Sequence, residues 1–239
     1  MTYLLYFIFG IAPSIIWLLF FLRKDVHPES NRMILKIFLY GMLIALPALF
    51  IEIGFSEATS KIPIPKGGII ILNIFLGVAL IEEFLKYLVV REKVFKDPEL
   101  DEPIDLMLYM IIAALGFAAV ENILVLFLPE KPLLVSEASF ITAFRFIGAT
   151  FLHALVSGMI GYFLAIYFFT GKGKFFILGF ILAIFLHGAF NSFIIMIDKE
   201  LIGEKIGFSL IAAVLIFLAI FVNRSFQKLK TLPSVTKVT

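Results

Sequence analysis

The chain has 239 residues, of which 62% are hydrophobic and 16% are charged. Its mean hydropathy of +1.07 is too high for the surface of a water-soluble protein and predicts an integral membrane protein. Seven spans of about 20 residues would occupy roughly 140 positions, which excludes a sizeable domain outside the membrane. The absence of cysteine excludes disulfides and thiolate chemistry. The net charge of +2 comes from loop cations, which favours an orientation signal over a nucleic-acid-binding patch.

Long apolar runs bounded by charged or turn residues predict an all-α, polytopic bundle of about seven transmembrane helices. In chain order the predicted spans are Tyr3 to Leu22, Met33 to Ile53, Gly68 to Val90, Asp105 to Leu128, Phe140 to Phe169, Phe175 to Ile197 and Ile206 to Val222. The first run lacks a basic n-region and a cleavage site, so we interpret it as a retained anchor and not a signal peptide. Residues 1–239 are interpreted as a single domain. Small residues in the fourth, fifth and sixth spans predict that these three form the core.

The distribution of lysine and arginine among the loops predicts the orientation of the chain. Alternate loops carry thirteen of these residues on one side and five on the other. Cytoplasmic loops are the ones enriched in positive charge. We therefore expect a protein of the plasma (cytoplasmic) membrane with Met1 outside and Thr239 in the cytoplasm.

Polar residues inside the predicted spans are the main functional signal, because a charge near the bilayer centre costs about 2.5 to 3.5 kcal/mol on insertion scales. Helical spacing places Lys86 on one face with Glu82 and with Glu83. We expect one of these glutamates to face a pocket while the other is held by Lys86 or by donors on a neighbouring helix. Four successive spans together carry polar residues, namely Glu82, Glu83, Lys86, Glu121, Asn122, Arg145, His153, His187 and Asn191. The glutamates, histidines and asparagines among them lie at comparable depth. Their joint occurrence predicts a functional site between the helices.

Some of these residues also have a purely structural explanation. Glu83 and Lys86 would satisfy each other as a simple intrahelical ion pair. Arg145 would snorkel to the outer surface or pair with a loop acid such as Glu137. Glu52, near the outer end of the second span, is expected to lie at the membrane interface. These explanations apply to single residues or pairs and leave the full set unexplained.

Four short motifs follow one another on consecutive apolar spans. They are EExxK from Glu82, FxxxEN from Phe117, Arg145 with His153 eight positions later, and HxxxN from His187. Together they resemble the PrsW family of intramembrane proteases, which belongs to a wider group of glutamate-dependent membrane proteases with the CAAX-processing and bacteriocin-processing enzymes. The resemblance covers roughly residues 68–197, the motif-bearing core. It implies a water-filled cavity and hydrolysis of a membrane-embedded peptide bond.

The resemblance also implies a substrate and leaves the metal open. PrsW-like proteins are associated with the first cut of a membrane-anchored anti-sigma factor, so the expected partners are such a transmembrane protein and the membrane lipids. Glu121 stands where CAAX endopeptidases have the histidine of FxxxH, and Lys86 where they have the arginine of EExxxR. Processing of prenylated substrates is therefore the less favoured branch. An additional carboxylate would either tune a water-activating base or bind a cation.

Peptide hydrolysis needs a base for water, donors for the oxyanion and an acid for the leaving amine. We assign Glu82 as the base, with Glu121 and His153 orienting the water and transferring the proton. His187 and Asn191 would direct two donors at the oxyanion. Glu83 belongs to the same catalytic set, and the supporting residues are Lys86, Asn122 and Arg145.

Three alternatives remain open from the residues alone. A zinc protease would use Glu82, Glu121, His153 and His187 as ligands, although no HExxH motif is present and the metal-free mechanism without any cofactor is favoured. A proton- or cation-coupled transporter would use the same buried groups as a relay. A noncatalytic scaffold would bind a partner helix in the same cavity. Serine catalysis is disfavoured, because Ser157 lies one turn after His153 without a clear acidic partner.

Overall fold

The computed structural model describes residues 2–25, 27–171 and 173–232. The termini used for the orientation, Met1 and Thr239, and two of the loop cations counted for it, Lys172 and Lys237, lie outside the described residues. Seven helical segments are long and apolar enough to cross a membrane, which confirms the predicted number of spans. No strand occurs in the described part of the chain, and the all-α fold class is confirmed.

The helices match the predicted spans to within a few residues, except that the second span continues past Ile53 and the seventh past Val222, each by seven residues. Their bounds are α1 (Thr2–Leu22), α2 (Asn31–Ser60), α3 (Lys66–Leu72), α4 (Ile81–Lys93), α5 (Pro103–Phe127), α6 (Val135–Ile147), α7 (Ala149–Thr170), α8 (Gly173–Asp198) and α9 (Glu204–Leu229). A π-helical segment, Asn73–Leu80, joins α3 to α4, so these three pieces form one continuous third span.

The fifth span contains a break that the apolar pattern does not reveal. At Gly148 the backbone adopts φ −91° and ψ −97°, which ends α6 and starts α7 in a new direction. The carbonyl of Phe146, in the last turn of α6, accepts a hydrogen bond of 2.9 Å from the indole of Trp17 on α1. This bond satisfies a carbonyl that the helix end leaves without an intrahelical partner.

The centre of the bundle is α5, which packs against α1, α2 and α7. Residues 106–115 of α5 have no exposed surface. A Cβ atom on Gly41 of α2 would collide with the carbonyl of Ala113, and one on Gly116 would collide with the carbonyl of Phe38. Glycine therefore allows the two backbones to touch, as is typical of helix pairs in lipid. The sixth span, α8, is buried along one stripe only, so its assignment to the core is wrong, while the fourth and fifth spans do form the core.

Candidate active site

Lys86 lies at the centre of a buried polar cluster. Its Nζ atom lies 3.0 Å from Glu82 Oε2, 2.8 Å from Glu83 Oε1 and 2.8 Å from His153 Nδ1. An ammonium has three N–H donors, so these three acceptors use all of them. The Phe117 ring lies 4.3 Å from Nζ and adds a cation–π contact. Positions i+3 and i+4 let Lys86 contact both glutamates, so Lys86 alone does not decide which of the two is held.

Glu83 is fully buried and is held from three sides. Besides Lys86, the Ser157 hydroxyl donates to its Oε2 at 2.6 Å, and His187 Nδ1 lies 3.1 Å from its Oε1. Ser157 is a site residue that the sequence analysis considered only as a nucleophile. Its position one turn after His153, on the same face of α7, was the available signal.

Glu82 is equally buried but less engaged. Lys86 is its only hydrogen-bond partner among the described residues. Its Oε2 lies 3.6 Å from His153 Nδ1 and 3.9 Å from His187 Nε2, both beyond hydrogen-bonding distance. Glu82 therefore keeps free lone pairs, which face two imidazoles, whereas most lone pairs of Glu83 already accept hydrogen bonds.

Glu121 connects the cluster to the surface. Its Oε2 lies 2.6 Å from His153 Nε2. Because the Lys86 ammonium can only donate, His153 Nδ1 must accept, and a neutral ring then carries its proton on Nε2, toward Glu121. The Glu121 side chain is 28% exposed, compared with 3% for Glu82. Glu121 is therefore the most exposed carboxylate of the cluster, although its Oε2 atom is itself buried, and we call this side the opening of the site.

Arg145 lies at this opening and does not pair with Glu137, which was one of the structural alternatives for it. Its Nε donates to Asn122 Oδ1 at 2.5 Å, and its guanidinium lies 3.6 Å from Glu121. Glu137 instead accepts from the backbone N–H of Leu134 at the start of α6. The early end of α6 at Gly148 places Arg145 against α5.

Asn122 connects several helices by hydrogen bonds at the depth of Glu121. Its amide donates to the carbonyl of Gly10 on α1 at 3.2 Å and to the Thr150 hydroxyl on α7 at 3.0 Å. Together with the bond from Arg145, these contacts join four helices through one side chain. Asn122 therefore supports the position of the neighbouring Glu121 and contributes no atom to the central cluster.

The two remaining polar residues lie at the edge of the cluster. Asn191 is half-buried one turn after His187 on α8 and makes no hydrogen bond to the cluster within the described residues. Glu52, expected at the interface, lies on the inward side of α2 within electrostatic range of Glu82 and Glu121.

The donor set also fits a divalent metal ion. One ligand atom from each of four buried residues, Glu82, Glu83, His153 and His187, lies within 4.8 Å of the other three. Two carboxylates and two imidazoles are an acceptable ligand set for zinc. This set contains Glu83 where the sequence-based set has Glu121. The Lys86 ammonium contacts three of the same four residues, so the cluster already stabilises one positive charge.

Comparison with known proteins identifies similar chains. The profile of the family described as "PrsW family intramembrane metalloprotease" matches residues 29–223. A "Protease PrsW" from Geobacillus kaustophilus is 31% identical over 213 residues, covering 85% of this chain and 84% of that protein. Proteins of the same name from Oceanobacillus iheyensis (32% identity; 76% of this chain and 79% of that protein) and Bacillus subtilis (30%; 70% and 67%) are also similar. No solved structure matches.

Proposed function

Because the chain belongs to the PrsW family of intramembrane proteases, we propose that it hydrolyses a peptide bond of a membrane-anchored protein with water that Glu82 activates. The observation that carries this assignment is the difference between the two adjacent glutamates. Glu83 is hydrogen-bonded by Lys86, Ser157 and His187, while Glu82 is bonded by Lys86 alone. A general base needs a free lone pair within reach of the water that it deprotonates.

The residues of the site can accept and donate each proton that the reaction transfers. Glu82 takes a proton from water as the hydroxyl attacks the scissile carbonyl, and the carbonyl oxygen becomes an oxyanion. His187 and Asn191, four positions apart on α8, are the proposed donors to that oxyanion. Because His187 Nδ1 donates to Glu83, its Nε2 acts as a donor only when the ring is an imidazolium. The pair of His153 and Glu121 passes the proton taken up by Glu82 to the leaving amine as the C–N bond breaks, which returns Glu82 to its carboxylate form. Lys86 and Arg145 keep the charge of the carboxylates balanced throughout.

A metal-dependent form of this mechanism is the second candidate, supported by the spacing of the four donor residues. Glu82, Glu83, His153 and His187 would hold the ion. A bound divalent ion would acidify water and polarise the scissile carbonyl. The metal-free form remains our preferred proposal because each of these residues has a complete role without an ion.

The substrate that we propose is an anti-sigma-factor-like membrane protein, in keeping with the resemblance of the four motifs. We further propose that the chain lies in the cytoplasmic membrane with its N-terminus outside, on the basis of the loop cations. With this orientation α5 runs outward, so Glu121 and the opening of the site lie toward the outer side.

Glu82→Gln tests the proposal. We expect the variant, reconstituted with a single-span substrate, to lose cleavage while staying folded, since Lys86 keeps Glu83 and His153 as partners. Glu57→Gln, on the exposed outer part of α2, is the matched control and should cut normally. Cleavage by Glu82→Gln at the wild-type rate would exclude Glu82 as the base.

Chelation followed by elemental analysis separates the two forms of the mechanism. Activity that survives with much less than one metal ion per chain supports the metal-free form. Activity that is lost on chelation, and restored by zinc at one ion per chain, would establish the metal-dependent form.

A further inference from the structure

The inward face of α2 contains one charged residue. The inward positions recur at intervals of three and four residues, as one face of a helix requires, and they are Gly41, Ala45, Ala48, Glu52, Phe55 and Thr59. The neighbours of the charged residue, Ile51 and Ile53, are 48% and 56% exposed and point away from the bundle. The side of α2 that carries Glu52 therefore faces protein, although Glu52 itself is only half-buried.

The contacts on the cytoplasmic side of Glu52 fix which part of the third span it faces. Ala48, one turn earlier in α2, packs in one cluster with Leu85 of α4 and Phe117 of α5. One helical turn outward from Ala48 on α2 is Glu52, and one turn outward from Phe117 on α5 is Glu121. Because α4 runs in the opposite direction to α2, the same step leads to the start of α4, where Glu82 lies.

The contacts of α2 on the outer side of Glu52 place this residue at the same depth. The Phe55 ring lies against Gly77 of the π-helical segment, where a Cβ atom would come within 2.7 Å of it. One turn further out, the Thr59 hydroxyl donates to Asn73 Oδ1 at 2.8 Å. Glu52 therefore faces the stretch between Gly77 and the start of α4, directly beside the cluster.

The charge of Glu52 is not balanced by a neighbour. It interacts electrostatically with Glu82, Glu121 and Lys86, but no side chain of the described part of the protein donates a hydrogen bond to it. All three donors of Lys86 are used inside the cluster. Arg145 is engaged by Asn122 and lies beside Glu121.

We propose that Glu52 is a specificity-determining residue that binds a lysine or arginine side chain of the substrate, close to the bond that is cut. The inference rests on the proposed proteolytic function and adds the substrate class, a transmembrane segment with a basic residue in its outer half. Such a residue is costly in lipid, as is an unpaired carboxylate, so the two stabilise each other when the substrate binds. Glu121 is the less suitable partner because Arg145 and His153 already face it.

Synthetic single-span peptides test the subsite. Each peptide carries either lysine or glutamine at one position, and that position is moved along the outer half of the span. We expect wild-type protein to cut one lysine peptide with a kcat/KM about tenfold above that of its glutamine twin, chiefly through KM. Glu52→Gln should bring the ratio to about one, and Glu52→Lys should favour a glutamate peptide. Glu57→Gln should keep the wild-type ratio.

Binding of the same peptides separates a failure of the subsite from a failure of the proposed function. Dissociation constants are measured for the Glu82→Gln protein and for a double variant that also carries Glu52→Gln. A lysine preference that only the first protein shows supports the subsite, even if wild-type protein cuts none of the peptides and the proteolytic proposal fails. Equal affinities for lysine and glutamine peptides at every position, or a preference that survives Glu52→Gln, would overturn it.

Discussion

Single residues in the cluster differ in what their removal leaves behind. Lys86 and Glu83 are both without exposed surface, and each contacts two or more other members of the cluster. Removing one member of a buried ion pair leaves the other charge uncompensated, which is more costly than the pair is favourable. Stability and chemistry should therefore depend on different members of the EExxK motif.

Glu83→Gln should destabilise the protein by about 3 kcal/mol, because it removes a charge that Lys86 and His187 both face. Glu82→Gln should cost less than about 1 kcal/mol, since Lys86 retains Glu83 as its counter-ion. Unfolding of the two purified variants in mixed detergent micelles, monitored by tryptophan fluorescence, measures both values. Equal decreases in the free energy of unfolding would show that the two glutamates contribute equally to stability.

Glu29, in the loop before α2, predicts a pH dependence that is independent of the active site. The pKa of Glu29 is raised to about 9, mainly by burial and also by nearby Asp105, while the hydrogen bond from the Tyr109 hydroxyl opposes the shift. Because the folded pKa exceeds the ordinary value of 4.5, folding favours the protonated carboxyl. The stabilisation is complete below about pH 4.5 and is lost as the pH rises toward 9.

The melting temperature of wild-type protein should therefore fall between pH 5 and pH 9 more steeply than that of Glu29→Gln. A neutral amide cannot ionise, so this variant lacks the contribution of Glu29 and keeps that of every other group. Differential scanning fluorimetry at constant ionic strength records both curves. Parallel curves would show that Glu29 has its ordinary pKa in the folded protein.

Among the helices, the contact of α2 with α5 is the most sensitive to an added methyl group. Gly41→Ala should destabilise the protein by about 1 to 3 kcal/mol, because the new Cβ meets the carbonyl of Ala113 and forces the helices apart. Gly54→Ala, in the same helix, is the control: nothing lies within 4 Å of its Cβ position, so higher helix propensity should stabilise by up to about 1 kcal/mol. Detergent unfolding of both variants gives the comparison. Similar effects would argue against a close backbone contact.

The sequence predicts the spans well but not their irregularities. Apolar composition fixes the seven crossings, because only a helix satisfies the backbone in lipid. The π-helical segment and the break at Gly148 both lie in sequence without a proline, and hydropathy carries no information on hydrogen-bond register. These two irregularities bring Arg145 and the start of α4 to their positions.

The same limit applies to the site. The sequence was sufficient to predict that Glu82 and His153 belong to the site, since buried polar residues are rare in membrane helices and mark function. The hydrogen-bond partners of the site residues were not predictable, because they depend on how each helix is rotated about its axis relative to its neighbours. The bonds from Ser157 to Glu83 and from Arg145 to Asn122 are set by interhelical packing, which a single sequence does not encode by spacing.

For the molecule as a whole, the cysteine-free chain makes the orientation directly measurable. We expect a cysteine at Lys131, between α5 and α6, to react with an impermeant maleimide applied to intact cells. A cysteine at Lys96, between α4 and α5, should react only after the membrane is opened. The opposite pattern would invert the chain and would place the opening at Glu121 on the cytoplasmic side.

The burial of residues 106–115 of α5 also has a consequence for biosynthesis. Its hydropathy is high enough for insertion as an independent span, yet in the finished protein residues 106–115 contact no lipid. Two of its main neighbours, α1 and α2, precede it in the chain, and α7 follows. As the ribosome delivers the N-terminal part first, both of these partners are already in the membrane when α5 leaves the insertion machinery. Arrival of α7 then completes the protein surface that surrounds α5, so its contacts form in the order of translation.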